Sequence, residues 1–184
     1  MRHDAAGEPV IRALGRPGDL GWVVMAHGEV YAAEFGWDSG IEALTARIVA
    51  DYAGDHDPAR ESAWIAELDG RRVGCVFCVR ADDQTAQLRI LLVDPAGRGR
   101  GLGALLTQRC IDFARAAGYR RMRLWTNHPL TAARKLYLAA GFTLVESEPH
   151  RSFGVDLIGQ VYELDLGSPP AASPRGTVER GSAR

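Results

Sequence analysis

Cysteine is scarce in this chain, with three among 184 residues. A small, odd number of cysteines and no apolar leader disfavour a disulfide scaffold and predict a cytoplasmic protein in a reducing compartment. Cys75 and Cys78 have the spacing of a metal-binding or redox pair. They lie in an apolar run, Val73 to Val79, that predicts a strand, and residues three apart on a strand point to opposite faces. We therefore expect no metal site.

Net charge and long apolar runs are lacking as well. The formal net charge is −1, so the chain has no global basic surface for nucleic acid. No apolar run approaches the roughly 18 residues of a membrane-spanning helix, and we expect no membrane partner. Lysine is nearly absent, since Lys135 is the single lysine among 22 basic residues. The arginines that stand in its place have planar guanidinium groups that suit phosphate.

Apolar residues at helical spacing predict helices, and apolar alternation predicts strands. Helical spacing over 20–35 is interrupted at His27-Gly28, which predicts two short helical pieces. Further helices are predicted at 41–52, 102–117 and 130–140. Strands are predicted at 10–14, 63–68, 72–80, 86–93, 121–125, 142–146 and 155–166. The segment Pro149–Asp156 is then a connection between the last two strands.

This order of elements predicts an α/β fold with a mixed, mostly antiparallel central sheet of about seven strands and helices on both faces. The step from strand 86–93 through helix 102–117 to strand 121–125 should be a parallel crossover. We expect one domain at residues 9–166. Residues 1–8 are predicted to be a flexible N-terminus. Residues 167–184 are rich in Ser, Pro and Gly, lack apolar periodicity, and are predicted to be a disordered tail.

The segment Val93–Gly103 carries the strongest chemical signal, because an apolar strand ends there and a strong helix begins. Its alternating glycines allow positive φ and close approach of a ligand to the backbone. The helix N-terminus presents unpaired N–H groups and partial positive charge, so the segment predicts a phosphate or pyrophosphate site. It is not a P-loop, since no Lys followed by Ser or Thr occurs. A plain helix-entry loop is the alternative interpretation.

Two motifs resemble the GCN5-related N-acetyltransferases, the GNAT family. Arg98-Gly-Arg-Gly-Leu-Gly103 matches the Q/R-x-x-G-x-G/A signature, and Ala133–Phe142 matches the A-x-x-L-Y-x-x-x-G-F segment. The resemblance covers about residues 9–166 and implies the acyl-CoA N-acyltransferase fold. Residues 37–160 look closest to the acetyltransferase domain often fused behind a MarR-type regulator. We expect that helical regulator half to be absent, because nothing before Val10 could hold it.

The resemblance implies acetyl-CoA as cosubstrate and no metal. In this family the strand before the glycine loop separates from its neighbour, and its free backbone groups bind pantetheine; here these are Leu91, Leu92 and Val93. A backbone N–H near Leu92 would polarise the thioester oxygen. The loop amides would bind the pyrophosphate. The other implied cofactor-binding residues are Arg98, Gly99, Arg100, Gly101, Leu102, Gly103, Ala104, Asn127 and Arg134.

Tyr137 is the implied general acid, which in this family protonates the departing thiolate. A core aromatic is the alternative, because Leu136 and Ala140 share its helical stripe. Many family members carry Asn seven residues before this tyrosine, where the chain has Leu130. Asn127, at the end of the preceding strand, has two open interpretations: contact with the cofactor, or capping of the turn.

No motif identifies the general base. Many relatives place Glu on the strand before the loop, but residues 86–93 hold no carboxylate, so deprotonation through water is an open alternative. Glu34 is a candidate base, because the Phe35-Gly-Trp loop beside it should overhang the acceptor. His150 is another, since imidazole titrates near neutrality; a solvated loop histidine is the alternative. Candidate walls of the acceptor site, or core residues, are Tyr31, Trp37 and Phe153.

Together these features predict an enzyme, an acetyl-CoA-dependent N-acetyltransferase that acetylates a primary amine of a small molecule or peptide by direct transfer. A non-catalytic acyl-CoA-binding sensor or interaction module is the alternative, which the intact tyrosine and complete loop disfavour. A toxin acting on charged tRNA would need a basic acceptor face, and a net charge of −1 does not supply one. The acceptor is not identified by the sequence, and a homodimer is an open alternative.

Overall fold

The computed structural model describes residues 7–167. All but Gly167 of the tail predicted at 167–184, and most of the predicted flexible N-terminus, lie outside the described residues. The element order is the predicted one. The elements are β1 (Val10–Ala13), α1 (Asp19–Phe35), α2 (Gly40–Asp55), β2 (Ser62–Leu68), β3 (Arg71–Arg80), β4 (Thr85–Val93), α3 (Leu102–Ala116), β5 (Arg121–Asn127), α4 (Thr131–Ala139), β6 (Thr143–Ser152) and β7 (Val155–Asp165).

The seven strands form one mixed sheet in the order β1-β2-β3-β4-β5-β7-β6. β4 and β5 are parallel and joined through α3, whereas the other neighbours are antiparallel. Helices cover both faces: α3 packs on one core and α1 with α2 on the other. Cys75 belongs to one core and Cys78 to the other, as their spacing predicts, and both are free thiols. The predicted fold class is therefore confirmed.

α1 is one continuous helix, so the predicted break at His27-Gly28 is wrong. The ring of His27 satisfies one nitrogen within the helix, because Nδ1 lies 2.7 Å from the Val23 carbonyl oxygen. Gly28 is required by the neighbouring helix, since a Cβ at this position would lie 2.4 Å from Cγ of Glu42 in α2. The glycine allows α1 and α2 to approach closely, and packing overrides its low helix propensity.

β6 continues to Ser152, so Pro149–Asp156 is not a loop connection. The two strands instead form a hairpin that turns at Phe153-Gly154, where both residues have positive φ. β6 is an edge strand with mostly exposed side chains, so it lacks the apolar alternation by which a strand is recognised in sequence. An edge position also tolerates Pro149.

β4 and β5 are paired over only the first half of β4. Thr85–Leu88 pair with Arg121–Leu124. Beyond that point β4 is paired only with β3, and β5 only with β7. The separation coincides with a bulge in β4, where Ile90 has φ +43°. A β-branched residue in the left-handed region is strained, as bulged strands near functional sites often are. The bulge leaves a gap between the two strands.

Among residues 7–167, no helix is both long and apolar enough to cross a membrane.

Candidate active site

A cavity of about 670 Å³ occupies the gap between β4 and β5 and extends to the loop before α3. The separated half of β4 forms its floor. The C-terminal half of α1 forms one wall, and the connection from β5 into the first turns of α4 forms the other. The predicted cofactor-binding residues that line it are Leu91, Leu92, Val93, Arg98, Gly99, Gly101, Leu102, Gly103 and Ala104.

The backbone groups of Leu91 and Val93 face this gap. The Asp94 N–H donates to the Val73 carbonyl across the β3–β4 pair at 2.9 Å, and Leu92 lies opposite Cys75. Because hydrogen-bonded positions alternate along an antiparallel pair, Leu92 shares the β3-facing set with Asp94. Leu91 and Val93 direct their backbone groups to the opposite side. The Leu92 N–H, near which the oxyanion donor was predicted, is therefore directed to β3, and the neighbouring N–H groups of Leu91 and Val93 face the gap.

The N-terminus of α3 is open to a ligand. Gly101 caps it with φ +71° and without a side-chain hydrogen bond, and the Leu105 N–H donates to the Gly101 carbonyl. The N–H groups of Leu102–Ala104 therefore precede the helical hydrogen-bond ladder. A Cβ at Gly99 or Gly101 would meet nothing within 4 Å, so open space surrounds both glycines. These features fit a diphosphate bound by backbone amides.

Two arginines of the loop differ from the expectation. The Arg98 N–H donates to the Pro95 carbonyl at 3.3 Å, so this amide is already used by the turn Pro95–Gly97. The Arg98 guanidinium instead reaches into the cavity, where Nη1 lies 2.6 Å from Oε1 of Glu34. Arg100 is exposed and does not line the cavity. The loop thus offers one arginine side chain, which Glu34 holds in place.

A second cavity, of about 550 Å³, lies between α2 and the strands β4 and β5. Leu91 and Leu130 line both cavities, so the two meet at this point. Tyr137 lines the second cavity. Its polar lining residues are Gln87, Arg89, Arg123, Thr126 and Asn127, and within the described chain no Asp or Glu lines it.

Tyr137 is a core residue that also lines the second cavity. It is 5% exposed, and its ring packs against the rings of Phe142 and Tyr162. Burial raises the pKa of the Tyr137 hydroxyl well above its usual range, and the nearby Tyr31 adds to this. The hydroxyl therefore keeps its proton at neutral pH, and burial makes it a weaker acid than an exposed phenol.

Asn127 and His150 form a hydrogen-bonded pair. His150 Nε2 donates to Oδ1 of Asn127 at 2.8 Å, and Nδ1 lies 3.0 Å from the Ser152 hydroxyl oxygen. Asn127 is 1% exposed and lines the second cavity, whereas His150 lines neither of the two. Oδ1 of Asn127 is thus occupied by His150, and Asn127 does not line the first cavity.

Arg134 does not line either cavity. Its guanidinium donates to the His128 carbonyl at 3.1 Å and lies 3.4 Å from the Tyr162 hydroxyl. These contacts fix the connection between β5 and α4, which forms a wall of the first cavity. Arg134 therefore supports the wall without touching the space inside it.

Stacked aromatic rings cover the region where the cavities meet. The Trp37 ring stacks on Tyr31 at 4.9 Å and on Phe153 at 4.8 Å between centroids. Tyr31 lines the first cavity, and Trp37 and Phe153 line the second. The Asp38 N–H donates to the Phe153 carbonyl at 3.1 Å and ties the α1–α2 loop to the β6–β7 turn. The predicted walls are also a small core.

The sequence reasoning missed the arginines of the second cavity. Arg89 and Arg123 lie on the cavity side of β4 and β5. A signal was present, because Arg89 is the one charged residue of β4 and is followed by the apolar run Ile90–Val93. In residues 7–167 no group of three or more His, Cys, Asp or Glu side chains is placed to hold a metal ion.

Residues 25–142 match the model of the acetyltransferase (GNAT) family. The chain belongs to this family. Among similar proteins, the N-acetylaspartate synthetase of Danio rerio is 39% identical over 89 residues, covering 48% of this chain and 32% of that protein. The mycothiol acetyltransferase of Beutenbergia cavernae is 37% identical over 87 residues, covering 47% of this chain and 29% of that protein. The matching part of the chain thus spans about a third of the length of these relatives.

Solved structures share the fold. The yncA protein of Salmonella typhimurium, solved with its cofactor acetyl-CoA, has a TM-score of 0.70 at 21% identity and covers 92% of this chain and 100% of its own. An N-acetyltransferase from Staphylococcus aureus Mu50 has a TM-score of 0.71 at 22% identity, and the match covers 87% of this chain and 99% of that protein. The GNAT architecture of the sheet and helices is thus shared over most of the described chain.

Proposed function

We propose that this chain is an enzyme that transfers an acetyl group from acetyl-CoA directly to a primary amine. The observation that carries the proposal is the meeting of two cavities at Leu91 and Leu130, where β4 separates from β5. The first cavity ends at uncapped amides that suit a diphosphate. The second is open to an acceptor from the opposite side. This arrangement brings two substrates together without a covalent enzyme intermediate.

The binding roles follow from the geometry of the first cavity. The backbone groups of Leu91 and the N–H of Val93 pair with the amides of the pantetheine arm, whereas the Val93 carbonyl already accepts a hydrogen bond from Arg98 Nε at 3.3 Å. The N–H groups of Leu102–Ala104 bind the diphosphate, and the guanidinium of Arg98 adds a charged contact. Acetyl-CoA, when bound, supplies the activated acetyl group.

The catalytic roles belong to Leu91 and Tyr137. The Leu91 N–H donates to the thioester oxygen, because it faces the gap at the point where both cavities meet. Tyr137 holds a proton on its hydroxyl and donates it to the departing sulfur. Burial raises the pKa of the Tyr137 hydroxyl, which keeps the group protonated and disfavours a role as the base.

The amine loses its proton to water in this proposal. No carboxylate of the described residues lines the second cavity, which supports this route. Glu34 and His150 stay predictions as bases. Glu34 pairs with Arg98 in the first cavity, and His150 is held by Asn127 outside both. Neither has a direct contact with the acceptor space.

Other parts of the assignment are predictions that accompany the proposal. The catalytic unit is residues 9–166, the location is cytoplasmic, the acceptor is a small molecule or peptide, and a homodimer is an open alternative. The particular resemblance to domains fused to MarR-type regulators belongs here as well. The two relatives carry different names, an N-acetylaspartate synthetase and a mycothiol acetyltransferase, so their names do not define one acceptor.

Release of free CoA thiol in the presence of a panel of amines tests the proposal. We expect acetyl-CoA to bind and at least one amine to accelerate thiol release above the hydrolysis measured without amine. Binding without turnover on any amine would favour the acyl-CoA sensor instead. No binding of CoA or acetyl-CoA would overturn both.

A further inference from the structure

Arg89 places a guanidinium on the wall of the second cavity. It lies in β4 opposite Phe77 of β3, just before the bulge, and its side chain is half-buried. The neighbouring residues of this part of β4 are apolar, from Ile90 to Val93. Partial burial at this position costs the guanidinium part of its hydration, which is unfavourable unless an ion pair or hydrogen bonds replace the lost water.

Among residues 7–167, Arg89 has no ion-pair partner, unlike Arg123, whose Nη2 lies 2.6 Å from Oε1 of Glu146. Burial lowers the pKa of Arg89, and the charge of Asp51 on α2 opposes this only in part. The guanidinium still carries its charge at neutral pH. The cavity therefore contains a positive charge whose donors have no hydrogen-bond partner among residues 7–167 and are available to a ligand.

The rest of the lining disfavours a simple cationic amine. Arg89 and Arg123 both line the cavity, and within the described chain no Asp or Glu does. A polyamine would meet like charges, which is unfavourable in a half-buried site. A carboxylate would satisfy the planar donors of a guanidinium in a bidentate contact. The same positive charge lowers the pKa of a nearby amine and increases its neutral, nucleophilic fraction.

We propose that the acceptor is an amine that also carries a carboxylate, and that Arg89 binds this carboxylate. This inference rests on the proposed acetyl transfer and names the substrate class of that site. Arg89 lies two residues before Leu91, which a regular strand would separate by about 7 Å and the bulge at Ile90 brings no further apart. The reacting amine and the carboxylate can therefore belong to one small molecule, such as an amino acid, or to one acidic peptide.

Matched pairs of acceptors test the inference. Amino acids, ω-amino acids and short peptides are each compared with their carboxamides, and kcat/KM is measured by release of CoA thiol at equal fractions of neutral amine. We expect each accepted acid to exceed its carboxamide by about 10- to 100-fold, the range for a hydrogen-bonded charged group. Comparison of amino acids with acidic peptides then distinguishes the two sources of the carboxylate.

Variants of Arg89 identify the group responsible. Arg89→Gln should lower kcat/KM for the acid by about 10-fold or more and change the carboxamide less than about threefold. Arg89→Lys should retain part of the preference, because it keeps a charge but loses the planar fork. Arg115→Gln, an exposed arginine near the end of α3, is the matched control and should leave both rates unchanged. Thermal unfolding of each variant verifies that it is folded.

Three outcomes would overturn the proposed acceptor class without deciding whether the chain is an acetyltransferase. Equal loss of acid and carboxamide in Arg89→Gln would make Arg89 a structural residue. Acetylation of carboxylate-free amines in preference to the acids would refute the acceptor class but support the transferase. Binding of acetyl-CoA without acetylation of any acid would also refute the acceptor class. Absence of both acetyl-CoA binding and turnover would instead refute the proposed function.

Discussion

Tyr137 joins two roles in one residue, because its ring packs in the core while its side chain also lines the second cavity. Burial raises the pKa of its hydroxyl, so the proton is held at neutral pH. A phenol with a raised pKa is a weak acid. It can protonate the sulfur only as negative charge develops there while the carbon–sulfur bond breaks. The role of the hydroxyl can therefore be separated from that of the ring.

Tyr137→Phe makes this separation. The change keeps the ring, so the free energy of unfolding should change by less than about 1 kcal/mol. We expect kcat to fall near the low end of the 10²–10⁴-fold range for a general acid, because thiolate is a tolerable leaving group. The Kd for acetyl-CoA should change little, since the hydroxyl acts on charge that develops in the transition state. Steady-state kinetics and calorimetric titration give the two quantities.

Tyr119→Phe is the matched control. Tyr119 is equally buried and its hydroxyl donates to the Arg60 carbonyl, but it lines neither cavity. Its variant should keep kcat within about threefold. A decrease in kcat of less than threefold in Tyr137→Phe would show that water protonates the sulfur.

His27 predicts a dependence of stability on pH. Its ring is buried in α1, and burial lowers its pKa from 6.5 to about 4. Between these values the unfolded chain binds a proton that the folded chain does not, so stability falls as pH falls from 6.5 to 4. The loss should reach about 3 kcal/mol at pH 4, and the slope should vanish below that value.

Denaturant unfolding at several pH values between 4 and 7 measures this slope. His27→Leu, of similar volume, should remove the contribution, and the exposed His128→Gln should leave it unchanged. Asp19 does not interfere, because Arg12 and Arg72 hold the pKa of its carboxyl well below the usual range, and its contribution is lost only at lower pH. The same slope in His27→Leu as in the unchanged protein would assign the dependence to other groups.

At the scale of elements, the junction of β4 with α3 forms most of the proposed cosubstrate site. The bulge at Ile90 separates β4 from β5, and the loop then turns through Gly99 and Gly101 into α3. Both glycines have positive φ and open surroundings. A side chain here would therefore enter the space proposed for the diphosphate without displacing protein atoms.

Gly101→Val should thus affect binding more than folding. A valine in the left-handed region costs about 1–2 kcal/mol of stability, and its side chain would block the amides of α3. Gly118→Val is the control at the opposite end of the same helix, with φ +84° and nothing within 4 Å of a Cβ. Both variants should lose similar stability, but only Gly101→Val should lose acetyl-CoA affinity by tenfold or more. Wild-type affinity in Gly101→Val would place the diphosphate elsewhere.

Local signals in the sequence predicted the element order and the glycine loop. The turn chemistry of Val93–Gly103 and the apolar stripe of α3 are contained in neighbouring residues. The break predicted at His27-Gly28 was wrong because Gly28 serves a contact with Glu42, and no local pattern records this. β6 was predicted too short because a polar edge strand is defined by its pairing with β7.

Long-range contacts explain what the sequence could not predict in the site. Glu34 pairs with Arg98, 64 positions later in the chain, and His150 pairs with Asn127 across two strands. The first pairing determines where the Glu34 carboxylate lies relative to the acceptor space, and the second does the same for the His150 ring. The direction of the Leu91 and Leu92 backbone groups likewise depends on the register of β4 against β3. Such facts follow from pairing in three dimensions and not from periodicity.

At the scale of the whole molecule, the first cavity joins elements that are far apart in the chain. α1, β4, the loop before α3 and the start of α4 all line it, so one ligand would contact both halves of the sheet. The unfolded chain has no such assembled site. Binding to the folded state alone must therefore raise the stability of the whole domain.

Thermal unfolding with increasing acetyl-CoA tests this linkage. At a concentration of 100 times the Kd the stabilisation should be about 2.7 kcal/mol, which corresponds to an increase in Tm of roughly 5–10 °C for a chain of this size. CoA should act similarly, because most of its contacts are to the pantetheine arm and the diphosphate. Gly101→Val should show the increase only at much higher ligand concentrations, and Gly118→Val should respond as the unchanged protein does. An equal increase in all three proteins would mean that the ligand binds outside the first cavity, and no increase at millimolar ligand would remove acetyl-CoA from the proposed function.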